Sequence, residues 1–203
     1  MASCTCVRAA AMSFEVALPG REYCGSPPTT STMQGAPSAL ASSTARRLSS
    51  RASMRRAASD VNMPLAIEPL HPAYAGDRAC VNTTKQALDL CDALDPKRSG
   101  ALGVALDVYH IWWDPELLPQ IARAGKDRLL AFHVCDWLVP TKDLLNDRGM
   151  MGDGVIDIKS VRAAVEAQGF AGYSEIEIFS GTWWGKPMDE VLRTCIERHR
   201  SVV

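Results

Sequence analysis

The chain has 203 residues, a formal net charge of −1 and 47% apolar residues, a composition typical of a globular domain with a hydrophobic core. No stretch reaches the roughly 18 consecutive apolar residues of a membrane span, so we expect no membrane partner. The seven cysteines are odd in number and widely spaced, which favours reduced thiols and a cytoplasmic location over a disulfide framework.

The composition changes abruptly near residue 63. Residues 1–62 carry seven arginines and three acidic residues, a net charge of +4, whereas residues 63–203 carry 15 basic and 20 acidic side chains, a net charge of −5. The first segment is rich in Ser, Ala and Arg and poor in large apolar residues, which predicts a disordered leader. Two alternatives are an organellar transit peptide and misassigned or out-of-frame sequence ahead of a domain that starts near Met63.

From residue 63 onward, short apolar runs alternate with helical patterns. The first run, 65–67, ends at Glu68, and the spacing of apolar residues predicts a helix over 79–94. The second run, 102–106, is continuously apolar, as in strands buried on both faces, and ends at Asp107.

The second unit ends in a helix, and the third unit contains the longest loop of the folded part. Asp114 followed by proline predicts the start of a helix that Gly125 ends. The third apolar run, 129–134, carries His133 near its end. The polar loop beyond it holds Arg148, and long loops in compact domains are usually functional.

The fourth unit completes the pattern. Asp157 is the predicted cap of a helix that precedes a strand over 174–179, with Glu177 near the end of this strand. Proline 187 then opens a final helix. Its apolar residues are predicted to face inward: Met188, Val191, Leu192, Cys195 and Ile196.

Four strand–helix repeats in about 140 residues predict an α/β fold with a parallel sheet. A doubly wound sheet is one solution, but it concentrates its site at one switch point and usually has a Gly-rich phosphate loop, which is absent here. Polar residues end all four predicted strands instead. We therefore predict a partial (β/α)8 TIM barrel made of four βα units.

The polar strand ends are expected to meet at one rim of this barrel. They comprise three carboxylates and one imidazole: Glu68, Asp107, His133 and Glu177. Each residue alone has an ordinary structural explanation as a helix cap, an ion-pair partner or a buried polar group. Together they suit one divalent metal ion such as Mn²⁺, Mg²⁺ or Co²⁺, with Zn²⁺ as a further candidate.

Five motifs in residues 63–203 resemble the xylose isomerase-like TIM-barrel superfamily, specifically its sugar phosphate isomerase/epimerase branch. They are IEPLHP at 67–72, LDVYHIWWD at 106–114, FHVCDW at 132–137, DLLNDRGMMGDGVID at 143–157 and EIEIF at 175–179. The resemblance covers about the C-terminal half of that barrel.

The resemblance implies that Glu68, Asp107, His133 and Glu177 bind one metal ion, and that Glu68 and Glu177 also act as the catalytic acid/base pair. The implied reaction is proton abstraction next to the carbonyl of a sugar or polyol, with or without phosphate. Further residues are implied to contact the substrate: His110, Arg148, Asp136 and Trp113. A surface salt bridge is the ordinary alternative for Arg148.

The sequence also allows two other hypotheses about function. The chain could be a truncated, inactive barrel fragment that self-associates through open sheet edges. The superfamily also contains AP endonucleases, whose Asp-Arg-His motif is replaced here by Asp147, Arg148 and Gly149. The acidic folded part also disfavours nucleic acid, so we expect no nucleic-acid partner.

Overall fold

The computed structural model describes residues 10–12 and 53–203, which form an α/β fold. The strands are β1 (Ala10–Met12), β2 (Leu65–Ile67), β3 (Leu102–Asp107), β4 (Leu129–Val134), β5 (Asp136–Trp137), β6 (Arg148–Gly149) and β7 (Ser174–Ile176). The helices are α1 (53–60), α2 (Thr84–Leu94), α3 (Val108–Ile111), α4 (Leu117–Arg128), α5 (Ile158–Ala167), α6 (Gly181–Trp184) and α7 (Met188–Val202). No helix within these ranges is long and apolar enough to cross a membrane.

Five strands make one parallel sheet in the order β1-β2-β3-β4-β7, while β5 and β6 form a short antiparallel ribbon. From β2 onward, successive strands of the large sheet are joined through helices, as parallel pairing requires. Their carboxyl ends therefore meet at one edge, the edge where the sequence places its polar residues. The predicted parallel α/β arrangement is confirmed, and the partial barrel stays a prediction.

Helix α2 begins five residues later than the sequence predicts. Its start is set by Thr83, whose side chain accepts the N–H of Gln86, while the Gln86 side chain accepts the N–H of Thr83. This capping box satisfies two backbone donors that would otherwise lack partners. The inward face is confirmed by three buried residues: Ala87, Leu88 and Cys91.

The connection between β3 and β4 starts with a short helix, α3, that the sequence does not predict. Asp107 caps it by accepting the N–H of Tyr109 at 2.9 Å. The sequence places the cap of the next helix at Asp114, but α4 starts later and Asp114 accepts the N–H of Glu116 in a turn. The sequence predicts that Gly125 ends this helix, but α4 continues to Arg128 and Gly125 marks a kink inside it, where its φ of 59° suits glycine.

Helix α5 follows the prediction closely. Asp157 caps it by accepting the N–H of Ser160 at 3.1 Å, and Gly169, with a φ of 80°, lies just beyond its end. Three buried residues confirm the inward stripe: Ile158, Val161 and Val165. They join the core formed by β3, β4 and α4.

The last unit departs from the prediction in two ways. Strand β7 is shorter than the predicted 174–179, although the N–H of Glu177 still donates to the Val134 carbonyl at 3.1 Å. The next segment, predicted as a loop, contains α6, which Ser180 caps through the N–H of Trp183.

The prediction that the apolar residues of α7 all face inward is wrong. Met188 is 83% exposed, Leu192 58% and Ile196 44%, while Val191 and Cys195 are half-buried. Strand β7 is an edge of the sheet, so no described element packs over this side of α7. The apolar residues of α7 do follow a helical period, but their burial also needs a neighbouring layer of structure.

Two pieces of the predicted leader have regular structure. Ala10–Met12 pairs in parallel with Leu65–Ile67, and residues 53–60 form α1 with Ala58 buried. The Ala, Met and Arg residues of α1 are strong helix formers, which explains the helix. The rest of the predicted leader, 1–9 and 13–52, lies outside the described residues.

A buried ion pair joins α2, β3 and α4 at the amino edge of the sheet, away from the polar strand ends. Arg128 is 1% exposed and donates to Asp95 Oδ2 at 2.9 Å and to the Leu102 carbonyl at 2.7 Å. It also donates to the carbonyls of Cys91 and Asp95. Asp95 is itself buried and accepts the N–H of Ser99 at 3.0 Å. The guanidinium thus ties the end of α2 to the start of β3.

Candidate metal centre

The four predicted ligands lie together at the carboxyl edge of the sheet. Asp107 ends β3 and is paired in register with His133 on β4, while Glu68 follows β2 and Glu177 follows β7. One candidate ligand atom from each residue lies within 4.8 Å of all the others. The strand-end pattern therefore predicted a real cluster, and its role in metal binding stays a prediction.

His133 stands between the two glutamates. Its Nδ1 lies 3.0 Å from Glu177 Oε2 and 3.9 Å from Glu68 Oε1. The contact with Glu177 lacks hydrogen-bond geometry, so both atoms are buried without a hydrogen-bond partner among the described residues. Buried polar atoms without partners are costly, and a cation that accepts both as ligands would remove that cost.

The electrostatics of the cluster favour positive charge at its centre. Burial, together with the charges of Asp107 and Glu177, raises the pKa of Glu68 to about 7. Burial disfavours the protonated ring of His133, but the carboxylates of Glu177 and Asp107 outweigh it and raise the pKa of His133 to about 9. Glu68 and His133 both bind protons more tightly than usual, because the nearby positive charges do not balance the carboxylates of the cluster.

Arg148 supplies one of those positive charges from the β5–β6 ribbon. Its Nη1 lies 2.7 Å from Asp107 Oδ2 and 3.7 Å from Glu177 Oε2. The guanidinium also packs on the rings of Tyr109 and Phe179, 4.5 and 5.1 Å from their centroids. Burial opposes ionisation of Asp107, but the Arg148 charge outweighs it and lowers the pKa of that carboxyl. The exposed salt bridge weighed for Arg148 is wrong, because the residue is buried in the site.

His110 lies behind Arg148 as an uncharged ring. Its Nδ1 accepts the backbone N–H of His71 at 3.2 Å, so a neutral ring carries its proton on Nε2. That Nε2 is 3.7 Å from Asp107 Oδ2 and 3.3 Å from Arg148 Nη2. Burial lowers the pKa of His110 to about 4. His110 thus lies beside the cluster, and its contact with a substrate stays a prediction.

The remaining predicted substrate contacts lie outside the cluster. The carboxylate of Asp136 is buried and accepts the backbone N–H groups of Trp137, Gly152 and Ile156 at 2.8 to 3.0 Å. It therefore shapes the loop after β6. Trp113 donates its ring N–H to the His110 carbonyl at 2.9 Å.

Two tyrosines that the sequence analysis did not select hold the loop beside the site. Tyr74 and Tyr109 both donate their hydroxyls to the Leu144 carbonyl, at 2.5 and 2.9 Å. The next residue, Leu145, lines a cavity together with Glu68, Arg148 and other residues of the site. Tyr109 lies two residues after Asp107, and Tyr74 lies in the loop six residues after Glu68.

A parallel α/β sheet that brings carboxylate and imidazole side chains together at its carboxyl edge is an arrangement typical of TIM-barrel folds. The chain belongs to the family described as xylose isomerase-like TIM barrel, whose model matches residues 16–199. This range includes part of the segment predicted as a leader.

Three relatives show how far the similarity extends. Protein SMc04130 of Sinorhizobium meliloti 1021 is 58% identical, and its crystal structure superposes with a TM-score of 0.73 over 79% of this chain and 58% of that chain. Inosose isomerase of Bacillus velezensis is 24% identical over 152 residues, 71% of this chain and 51% of that protein. The crystal structure of IOLI protein with a zinc atom is 20% identical, with a TM-score of 0.64 over 77% of this chain and 54% of that chain. The chain thus spans about half the length of these relatives.

Proposed function

We propose that this protein is a divalent-metal-dependent sugar or polyol isomerase/epimerase that moves a proton next to a carbonyl. The observation that carries the proposal is the cluster of Glu68, Asp107, His133 and Glu177, with all four ligand atoms within 4.8 Å. The similarity to inosose isomerase supports a polyhydroxylated ketone as substrate. The described βα units would form one side of the barrel that encloses it.

The donor set fits a divalent cation of the Mn²⁺, Mg²⁺, Co²⁺ or Zn²⁺ type, because it offers three carboxylates and one imidazole nitrogen, from which the cation would displace a proton. Such a cation, when bound, polarises a carbonyl and stabilises the negative charge that develops on its oxygen. Nδ1 of His133 and Oε2 of Glu177, which have no hydrogen-bond partner among the described residues, would gain a partner in such a cation.

Glu68 directly follows β2 and Glu177 directly follows β7, and His133 lies between the two glutamates. In the proposed reaction, one carboxylate removes the proton from the carbon bonded to the carbonyl, which gives the enediolate of the substrate. The other carboxylic acid gives up a proton, either to the opposite face of the same carbon or to the neighbouring carbon; in the second case the hydroxyl proton of the first carbon moves to the former carbonyl oxygen, so that the first carbon becomes the new carbonyl. The first outcome is epimerisation and the second is isomerisation.

Arg148 and His110 are proposed to hold the substrate hydroxyl groups. The Arg148 guanidinium is already fixed by Asp107 and by two aromatic rings, so it can orient a ligand with little loss of conformational freedom. Leu145 and Phe179 line the same cavity and would exclude water from one side of the substrate.

The test is solvent-proton exchange. Purified protein loaded with Mn²⁺, Co²⁺ or Zn²⁺ is incubated in D₂O with an inosose and with several ketohexoses, and deuterium at carbon is followed by NMR. We expect exchange that EDTA stops, and a loss of about 10²–10⁴-fold in Glu177→Gln, the usual contribution of a catalytic acid or base.

Glu197→Gln is the matched control, because Glu197 is an exposed glutamate on α7. It removes the same charge and should leave the exchange rate unchanged. Absence of exchange with every ketone tested, or exchange by Glu177→Gln at the wild-type rate, contradicts the proposed function.

A further inference from the structure

A fourth acidic residue, Glu175, lies in the same row of the sheet as two of the candidate ligands. The pairing registers place Asp107 beside His133 and His133 beside Glu175, so these residues form one line across β3, β4 and β7. Paired residues of neighbouring strands present their side chains on the same face. Glu175 therefore faces the same side of the sheet as the candidate ligands.

The two ring nitrogens of His133 have different acidic neighbours. Nδ1 faces Glu177 Oε2 at 3.0 Å, and Nε2 lies 4.0 Å from Glu175 Oε2. The Glu175 side chain is 59% exposed, which leaves it free to close the remaining distance to a hydrogen bond. His133 thus lies between two carboxylates, that of Glu177 in the cluster and that of the more exposed Glu175.

We propose that Glu175 is a positioning residue that accepts the Nε2 proton of His133 and so directs the bare Nδ1 at the cation. The inference rests on the proposed function, because it assumes a metal at the cluster. A histidine that binds a metal through one nitrogen usually donates its other N–H to a carboxylate, which fixes the tautomer and the ring orientation and makes the ligand more basic. Nothing else in the proposed reaction requires Glu175.

The experiment compares Glu175→Ala with Glu175→Gln in the full chain. Both substitutions remove the negative charge, but glutamine keeps an oxygen that can accept the Nε2 proton. Affinity for Zn²⁺ and Co²⁺ is measured by isothermal titration calorimetry, and the visible absorption of the Co²⁺ form reports the geometry of the ligands. Glu197→Ala serves as the control for loss of an exposed carboxylate.

We expect Glu175→Ala to weaken metal binding by about 10–100-fold, the usual effect of removing such a partner. Glu175→Gln should keep most of the affinity and the wild-type Co²⁺ spectrum. Because Glu175 is largely exposed, circular dichroism and the thermal midpoint of the metal-free variants should match the wild type.

Three results overturn the inference. Unchanged affinity in Glu175→Ala shows that the carboxylate does not act on His133. Equal weakening in Ala and Gln variants shows a simple effect of charge. Failure of the wild-type protein to bind any cation removes both this inference and the proposed function, whereas the first two results leave the proposed function intact.

Discussion

Replacing Arg128 with methionine tests how the sheet is held at the edge away from the candidate site. The side chain is 1% exposed and makes four hydrogen bonds, one of them to the buried carboxylate of Asp95. Methionine fills a similar volume but donates no hydrogen bond, so the change removes the contacts and leaves the acceptors buried.

The expected cost follows from what remains behind. Asp95 is 2% exposed and would keep only its hydrogen bonds from Ser99. Breaking a buried ion pair by removing one partner costs about 3–5 kcal/mol. A domain with a stability of about 5–15 kcal/mol would lose a large part of it.

The assay is urea denaturation of the full chain, followed by tryptophan fluorescence and circular dichroism. The double variant Arg128→Met with Asp95→Asn should recover part of the loss, because no unpaired charge is then buried. A loss below about 1 kcal/mol, the level of an exposed ion pair, would refute the argument from burial. Metal affinity of the folded variant should stay unchanged, since the pair lies at the opposite edge of the sheet.

Two further predictions concern pH and a close contact. Burial disfavours the charged form of Asp95, but hydrogen bonds from Ser99 and Arg128 outweigh it and lower the pKa of this carboxyl below its usual 3.8. The contribution of Asp95 to stability is therefore complete above about pH 4 and is lost as the pH falls through the folded-state pKa. The Asp95→Asn variant should therefore show a smaller loss of unfolding free energy at acid pH than the wild type. An unchanged acid dependence of the unfolding free energy contradicts this prediction. A Cβ at Gly154 would lie 2.2 Å from the Trp137 carbonyl oxygen, so Gly154→Ala should lower the free energy of unfolding in urea by about 1–3 kcal/mol. Gly181 has open space around it, so Gly181→Ala should change this free energy little. Equal effects of the two substitutions would contradict the role of the close contact.

The candidate site was predictable where a local pattern carried the information. An apolar run that ends in a carboxylate or histidine is visible in the sequence at Glu68, Asp107, His133 and Glu177. Because parallel strands must bring their carboxyl ends to one edge, the pattern predicted which side chains would meet. Glu175 was not selected, because the pairing of His133 with Glu175 depends on the register between β4 and β7.

Contacts between distant parts of the chain were decided by the tertiary structure. Arg148 is 41 residues from Asp107, and nothing in the sequence between them indicates that the two side chains lie 2.7 Å apart. The same holds for Asp136, whose carboxylate binds backbone N–H groups 16 and 20 residues away.

By itself, the sequence determined the alternation of the four predicted strands with helices, the Asp157 cap of α5 and the polar residues at the strand ends. These features depend on interactions within a few residues, such as side-chain periodicity and hydrogen bonds to the next backbone turn. Only the folded arrangement decided which apolar faces are covered, as the exposed Met188 and Leu192 of α7 show. Burial and long-range pairing require another element to be present on the facing side, and a local pattern does not specify that element.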